Sequence, residues 1–153
     1  MSEPLHDLVH SIDIQAPRAT VWDVMTGMDS VPQWLGCMNY AAKAGATFHM
    51  QPDHARRAAG DITGATWCDL EELRKPELLR FSWYMPGTPK TIVTIELEEV
   101  DTGTTRATLT HSGWDQFPVQ MVQAIHAMLD GGWKSFVLPG LKAASEAALA
   151  AGR

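Results

Sequence analysis

"MLDGGWKSFVLPGLK", Met128 to Lys142, lies within the most helical pattern in the chain, yet it holds Gly131, Gly132, Pro139 and Gly140. Each of these is a poor residue for a helix interior. Whether the stretch is one helix decides the fold, because the segment from about Val119 to Ala150 alone is long enough to cover a sheet. At ~100° per residue with Ile125 at 0°, Met121 and Met128 fall near ~−40° and ~−60°, Leu129 near ~40° and Phe136 near ~20°. Gly132 falls near ~−20°, inside this apolar stripe, and Asp130 and Lys134 fall on the opposite side. The stripe is therefore read as the face toward the core. A glycine in it leaves room for a close backbone approach or for a ligand. Pro139 has no N–H, so the Ser135 carbonyl loses its helical partner and the helix should bend, following a curved sheet.

The rest of the chain supplies that sheet. "LVHSIDIQ", Leu8 to Gln15, alternates apolar and polar residues as a strand does. "APRATVWDVMT" and "DSVPQWLG" read as two short helices, the second stopped by Gly36. Gly45 to Gln51 is a strand candidate, and "PDHARRAAG" reads as a loop. Four strand-like runs follow, at about Ile62–Leu73, Leu78–Met85, Thr91–Val100 and Thr104–Trp114, joined by "RKPE", "PGTPK" and "DTGT". Short connections imply antiparallel neighbours. Parity puts Leu79, Phe81, Trp83 and Met85 on one face. It turns Val93, Ile95 and Leu97 inward, with Ala107, Leu109 and His111. Phe48 and Met50 go together, which sends His49 outward. Trp67 and Asp69 share a face that parity leaves open. The order of elements describes an α+β roll in one domain, residues 1–153.

Composition narrows the function. A net charge of −6 and a pI near 5.4 argue against a nucleic-acid binder, whose phosphate contacts need clustered Lys and Arg. Cys37 and Cys68 stand far apart without a Cys-x-x-Cys, so reduced thiols in a reducing compartment are expected. Neither a signal peptide nor a membrane span is visible, which predicts a soluble cytoplasmic protein. No three or four His, Cys or acidic residues converge in the manner of a metal site, and no phosphate loop or nucleophile motif occurs. No metal or other cofactor is expected. Six Trp and eight Met suit an irregular apolar space.

Four motifs carry a resemblance: "PRATVWDVMT", "LLRFSW", "TIVTIELEEVDTGTTRATLTHSGW" and "GGWKSFVLPGLK". Together they resemble the family named for the activator of the heat-shock protein 90 ATPase. That family belongs to the START/SRPBCC superfamily and has the helix-grip fold of the birch-pollen allergen. The resemblance runs from about Val9 to Glu146. It implies a curved antiparallel sheet wrapped around a long C-terminal helix, with two small helices closing one end. It also implies a cavity for hydrophobic small molecules such as lipids, sterols or polyketides, and a tendency to pair as homodimers. A minority of the superfamily are cyclases or hydrolases, and the chaperone activator carries further domain sequence that this chain lacks.

The residues expected to line the cavity are Trp34, Met50, Trp67, Phe81, Trp83, Met85, His111, Trp114, Met121, Met128, Gly132 and Phe136, an apolar set with few polar anchors. His111 is the best catalytic candidate, since a histidine in an apolar cavity can act as acid or base or orient a polar ligand group. A satisfied structural histidine at a strand end is the plainer reading. Three functions follow in order: binding of a lipid-like or aromatic small molecule, an enzyme built on the same cavity, and a chaperone-activator-type interaction module.

Overall fold

The computed structural model describes residues 5–51 and 53–152, so Pro52 of the expected loop and Arg153 of the tail lie outside the described residues. Strand β1 (Leu8–Ile14) leads into helices α1 (Arg18–Thr26) and α2 (Val31–Leu35). The short strand β2 (Cys37–Met38), β3 (Thr47–Met50) and helix α3 (His54–Ala58) come next. Strands β4 (Thr66–Arg74), β5 (Leu78–Trp83), β6 (Thr91–Asp101) and β7 (Thr104–Ser112) complete the sheet. It is a curled seven-stranded antiparallel sheet in the order β1-β7-β6-β5-β4-β3-β2. After a 3-10 turn (Trp114–Gln116) the chain runs through α4 (Val119–Gly132), a π-helical turn (Trp133–Val137) and α5 (Leu138–Ala150). This is the helix-grip α+β fold that the order of elements implied.

Two elements differ from expectation for local reasons. The expected loop forms α3 over residues 54–58, because the Asp53 carboxylate accepts from the Arg56 N–H and caps it. The two-residue β2 is too short to leave an alternating pattern. Gly36 adopts a φ of 70° and ends α2 as read.

The expected inner parity holds in β5, β6 and β7. Register sets Phe81 opposite Val93 and Val93 opposite His111, with Leu79, Ile95 and Leu109 forming the next row. All six are buried. Phe48 joins them, its ring edge-on to Phe81 at 5.3 Å.

The terminal helix is turned differently from the reading above. Met121, Met128 and Phe136 are 61%, 65% and 76% exposed, so the stripe taken as the inner face points out. The inner positions are Val122, Leu129 and Trp133, followed by Leu138, Leu141 and Ala148. Val122, Leu129, His126 and Trp133 fall near ~60°, ~40°, ~100° and ~80° on the same wheel, about 80° round from the expected centre. Val119, Val122, His126, Leu129 and Trp133 recur at spacings of three and four, but a polar His in the series hid it. The π turn then closes with the Leu138 N–H donating to the Trp133 carbonyl, which adds a residue to that turn and keeps Leu138 and Leu141 on the inner face. Pro139 sits in the first turn of α5, directly after this irregularity.

Gly132 therefore makes no room against the sheet. Its φ is an ordinary helical −65°, and a Cβ built on it meets nothing within 4 Å. Gly132→Ala should stabilise the protein by about 0.5–1 kcal/mol in thermal unfolding, since Ala loses less chain entropy on folding. A loss of stability would show a close approach at that position after all. The close approach occurs at Gly140, where a Cβ would lie 3.5 Å from the Trp34 carbonyl oxygen of α2.

Side chains of α4 and α5 cover the free edge of β1. His126 donates to the His6 carbonyl (2.8 Å), Lys142 donates to the Asp13 carbonyl (3.1 Å), and the Gln15 N–H donates to Glu146 (2.8 Å). His10 meets Asp130 at 2.6 Å. These contacts place the Asp130 side of α4 against β1. The Met121–Met128 stripe, roughly opposite on the wheel, faces away from that strand.

Candidate functional site

The alternation of β7 sends His111 into the interior, where it is 0% exposed. Three tryptophans surround it. Its ring centroid lies 5.5 Å from Trp83, 4.6 Å from Trp114 and 5.8 Å from Trp133. Each arrives from a different element: Trp83 from the end of β5, Trp114 from the 3-10 turn and Trp133 from the π turn.

The hydrogen bonds fix the tautomer. An indole nitrogen can only donate, so Trp133 Nε1–H donates to His111 Nδ1 at 3.1 Å and Nδ1 carries no proton. The proton of neutral His111 is thus on Nε2, which donates to Thr91 Oγ at 2.7 Å. The Thr91 hydroxyl passes its own hydrogen to the Trp83 carbonyl at 2.7 Å. Trp114 Nε1–H donates to the His111 carbonyl at 3.0 Å. Burial, with His126 adding a smaller effect, pushes the His111 pKa down to about 3. Both ring nitrogens of His111 are thus engaged in hydrogen bonds, and burial favours the neutral ring. One polar group in this wall is unmatched: Trp83 Nε1–H is buried with no hydrogen-bond partner among the described residues. The wall is thus apolar apart from a few matched polar groups, with the acceptor His111 Nδ1 already used and the donor Trp83 Nε1–H unused.

Of the residues expected to line a cavity, Phe81, Trp83, His111 and Trp114 come together here. Half-buried Met50 shares their inner face, through Phe48 and Cys68 in β3 and β4. The others do not join them. Trp34 of α2 is buried, its backbone meets Gly140 of α5, and its indole N–H donates to the Val24 carbonyl of α1 at 3.1 Å. Trp67 pairs across the sheet with His49, on the face opposite Phe48, so it lies outside the grip. Met85 follows the end of β5 and is 40% exposed. Met121, Met128 and Phe136 are exposed, and Gly132 borders open space. Sequence reasoning missed Trp133 and Thr91. Thr91 shares the parity of Val93, and Trp133 closes the series of threes and fours in α4. A solvent-open groove of about 730 Å³ between α1 and α5, bordered by Asp23, Met28, Ala144 and Ala148, holds none of the expected residues.

Comparison with known proteins agrees with the fold. The profile of the family described as Activator of Hsp90 ATPase homolog 1-like protein matches residues 15–146. No curated protein matches the sequence. Among solved structures, the chain is similar to an HSP90 activator from Plasmodium falciparum, with 15% identity over 90% of this chain and 94% of that one and a TM-score of 0.68. It is similar to a protein of the dynemicin biosynthetic locus, with 21% identity over 94% of this chain and 48% of that one and a TM-score of 0.69. It also resembles an Aha1 from Colwellia psychrerythraea, described as a dimer, with 17% identity over 86% of this chain and 98% of that one and a TM-score of 0.59. At these identities the likeness is one of fold.

Proposed function

Because the chain belongs to the family of Activator of Hsp90 ATPase homolog 1-like proteins, we propose that it uses the family's grip to bind a hydrophobic small molecule, aromatic or lipid-like, between the curved sheet and the C-terminal helices. The observation that carries this reading is the unmatched Trp83 N–H in the aromatic wall around His111. A buried donor without a partner costs about 1–3 kcal/mol, and a ligand acceptor would recover it. Apolar walls with few convergent polar groups are the usual make-up of small-molecule sites. Buried, unlinked Cys37 and Cys68 fit a reducing compartment such as the cytoplasm. No described helix is long and apolar enough to cross a membrane. The test is thermal unfolding with sodium dodecanoate and with 2-naphthol, alongside native mass spectrometry of the undenatured protein. A ligand at about 100 times its Kd should add about 2.7 kcal/mol and raise the Tm by several degrees. Unchanged Tm with both compounds and a mass equal to the bare chain would overturn the reading.

The exposed stripe favours a second reading, an interaction surface. Met121, Ile125, Met128 and Phe136 form an apolar row on one helical segment, without a charged residue from Val119 to Leu129. We take its occupant to be a second copy of this chain, because an uncharged row with small residues at Ala124 and Gly132 suits a two-fold contact with itself. Sedimentation of the wild type should show a dimer, and the double substitution Met128→Glu, Phe136→Glu should return a folded monomer. A wild type that stays monomeric up to about 1 mM would exclude this use of the stripe.

A further inference from the structure

We propose that Trp133 is a built-in stand-in for the ligand, and that the ligand is a planar aromatic carrying a hydroxyl or N–H donor that takes the place of the Trp133 indole against His111. This rests on the small-molecule reading above. The Trp133 indole is flat, 1% exposed, and sits edge-on to His111 at 5.8 Å, the ring that Trp83 and Trp114 also flank. Its single polar contact is the N–H donated to His111 Nδ1. His111 cannot turn into a donor at that atom, because Thr91 and the Trp83 carbonyl hold its proton on Nε2. Whatever replaces Trp133 must therefore donate.

Trp83 adds the second requirement. Its unused N–H lies on the ring neighbouring His111 and calls for an acceptor. Trp133 has no acceptor to offer, so it satisfies His111 and leaves Trp83 unmatched. A phenolic oxygen supplies both functions, donating through its hydrogen and accepting on its lone pairs. A phenol thus fills the wall's hydrogen bonds more completely than the resident indole does.

The local backbone permits the exchange. Trp133 begins the π turn, an irregularity of the kind found frequently at functional sites. Directly before it, Gly131 and Gly132 border open space, with no atom within 4 Å of a built Cβ. Among α4 residues only Val122 is buried, so the helix that would move with Trp133 has little apolar surface to release.

The experiment uses the protein labelled with 5-fluorotryptophan, which gives one fluorine signal for each of its six tryptophans, with Trp133 assigned by Trp133→Phe. Three probes are titrated: 2-naphthol, which donates and accepts; 2-methoxynaphthalene, which only accepts; and sodium dodecanoate, which is not aromatic. The expected result is that 2-naphthol binds at least about tenfold more tightly than 2-methoxynaphthalene, a difference of about 1.4 kcal/mol, and shifts the Trp133 signal. Trp133→Phe keeps an aromatic side chain, though a smaller one, and removes the competing N–H, so it should bind 2-naphthol more tightly again, by about tenfold. The affinity ratio of the two naphthalenes is read on the wild type alone and stands even if the variant does not fold. Equal affinities, binding that leaves the Trp133 signal in place, or binding of dodecanoate only would each overturn the stand-in while leaving small-molecule binding intact. No binding of any probe would overturn both.

Discussion

Trp133→Ala should cost the protein about 3–5 kcal/mol, the range for emptying a buried large aromatic site. The side chain is 1% exposed and packs against the His111 ring, so its removal opens a void in the middle of the grip. The same change leaves His111 Nδ1 without a donor, which adds to the loss. For a chain of this length the Tm should fall by roughly 10 °C or more. The control is three residues away. Phe136 is equally aromatic and lies in the same π turn, but it is 76% exposed. Phe136→Ala should shift stability by no more than about 0.5 kcal/mol. Similar losses at the two positions in thermal unfolding would mean that the helix is turned as its apolar stripe first suggested.

The second large effect is on pH dependence. In the folded chain the pKa of His111 lies near 3, while in the unfolded chain it returns to about 6.5. Above about pH 6.5 neither state binds a proton there and the stability is fully present. As the pH falls, the unfolded chain takes up a proton that the folded chain refuses, at a cost of about 1.4 kcal/mol per pH unit. By pH 4.5 the loss should be roughly 3 kcal/mol, and it continues toward pH 3. The carboxyls of Asp13, Asp61, Asp69 and Glu146 are held below their ordinary values, so their losses fall in a more acidic window. Urea unfolding of the wild type and of His111→Gln between pH 7 and 4.5 separates the contributions. The variant should show a flatter curve by nearly that slope. Parallel curves would mean that His111 is not held neutral by its surroundings.

These two results concern residues that the sequence exposed unequally. His111 was legible because strand parity is strict: a residue two positions from Leu109 must share its face. The same rule set Phe81 and Val93 beside it. The grip itself was legible from the order of short helices, hairpins and one long terminal helix. Trp133 was not, for two physical reasons. The outward stripe of Met121, Ile125, Met128 and Phe136 is more apolar than the inward one, so hydrophobicity alone chose the wrong face of α4. The π turn then breaks the constant angle per residue on which any wheel depends. The glycines misled for a related reason. Gly132 looked like space made for a ligand because it lay on the stripe, whereas Gly140, which approaches Trp34 closely, looked like a mere breaker. The face of Trp67 is not legible from parity, because its sheet neighbour β3 is only four residues long.

Ligand recognition at this wall turns on one chemical feature: His111 presents an unprotonated Nδ1 toward an aromatic donor and keeps its proton on Nε2. Nitrogen-15 NMR of the histidine side chains, followed from pH 7.5 to 4.5, measures this directly. One His111 species is expected throughout, protonated on Nε2 alone, with a hydrogen-bond coupling between Nδ1 and the Trp133 indole N–H. A His111 that becomes doubly protonated near pH 6, or that carries its proton on Nδ1, would contradict it.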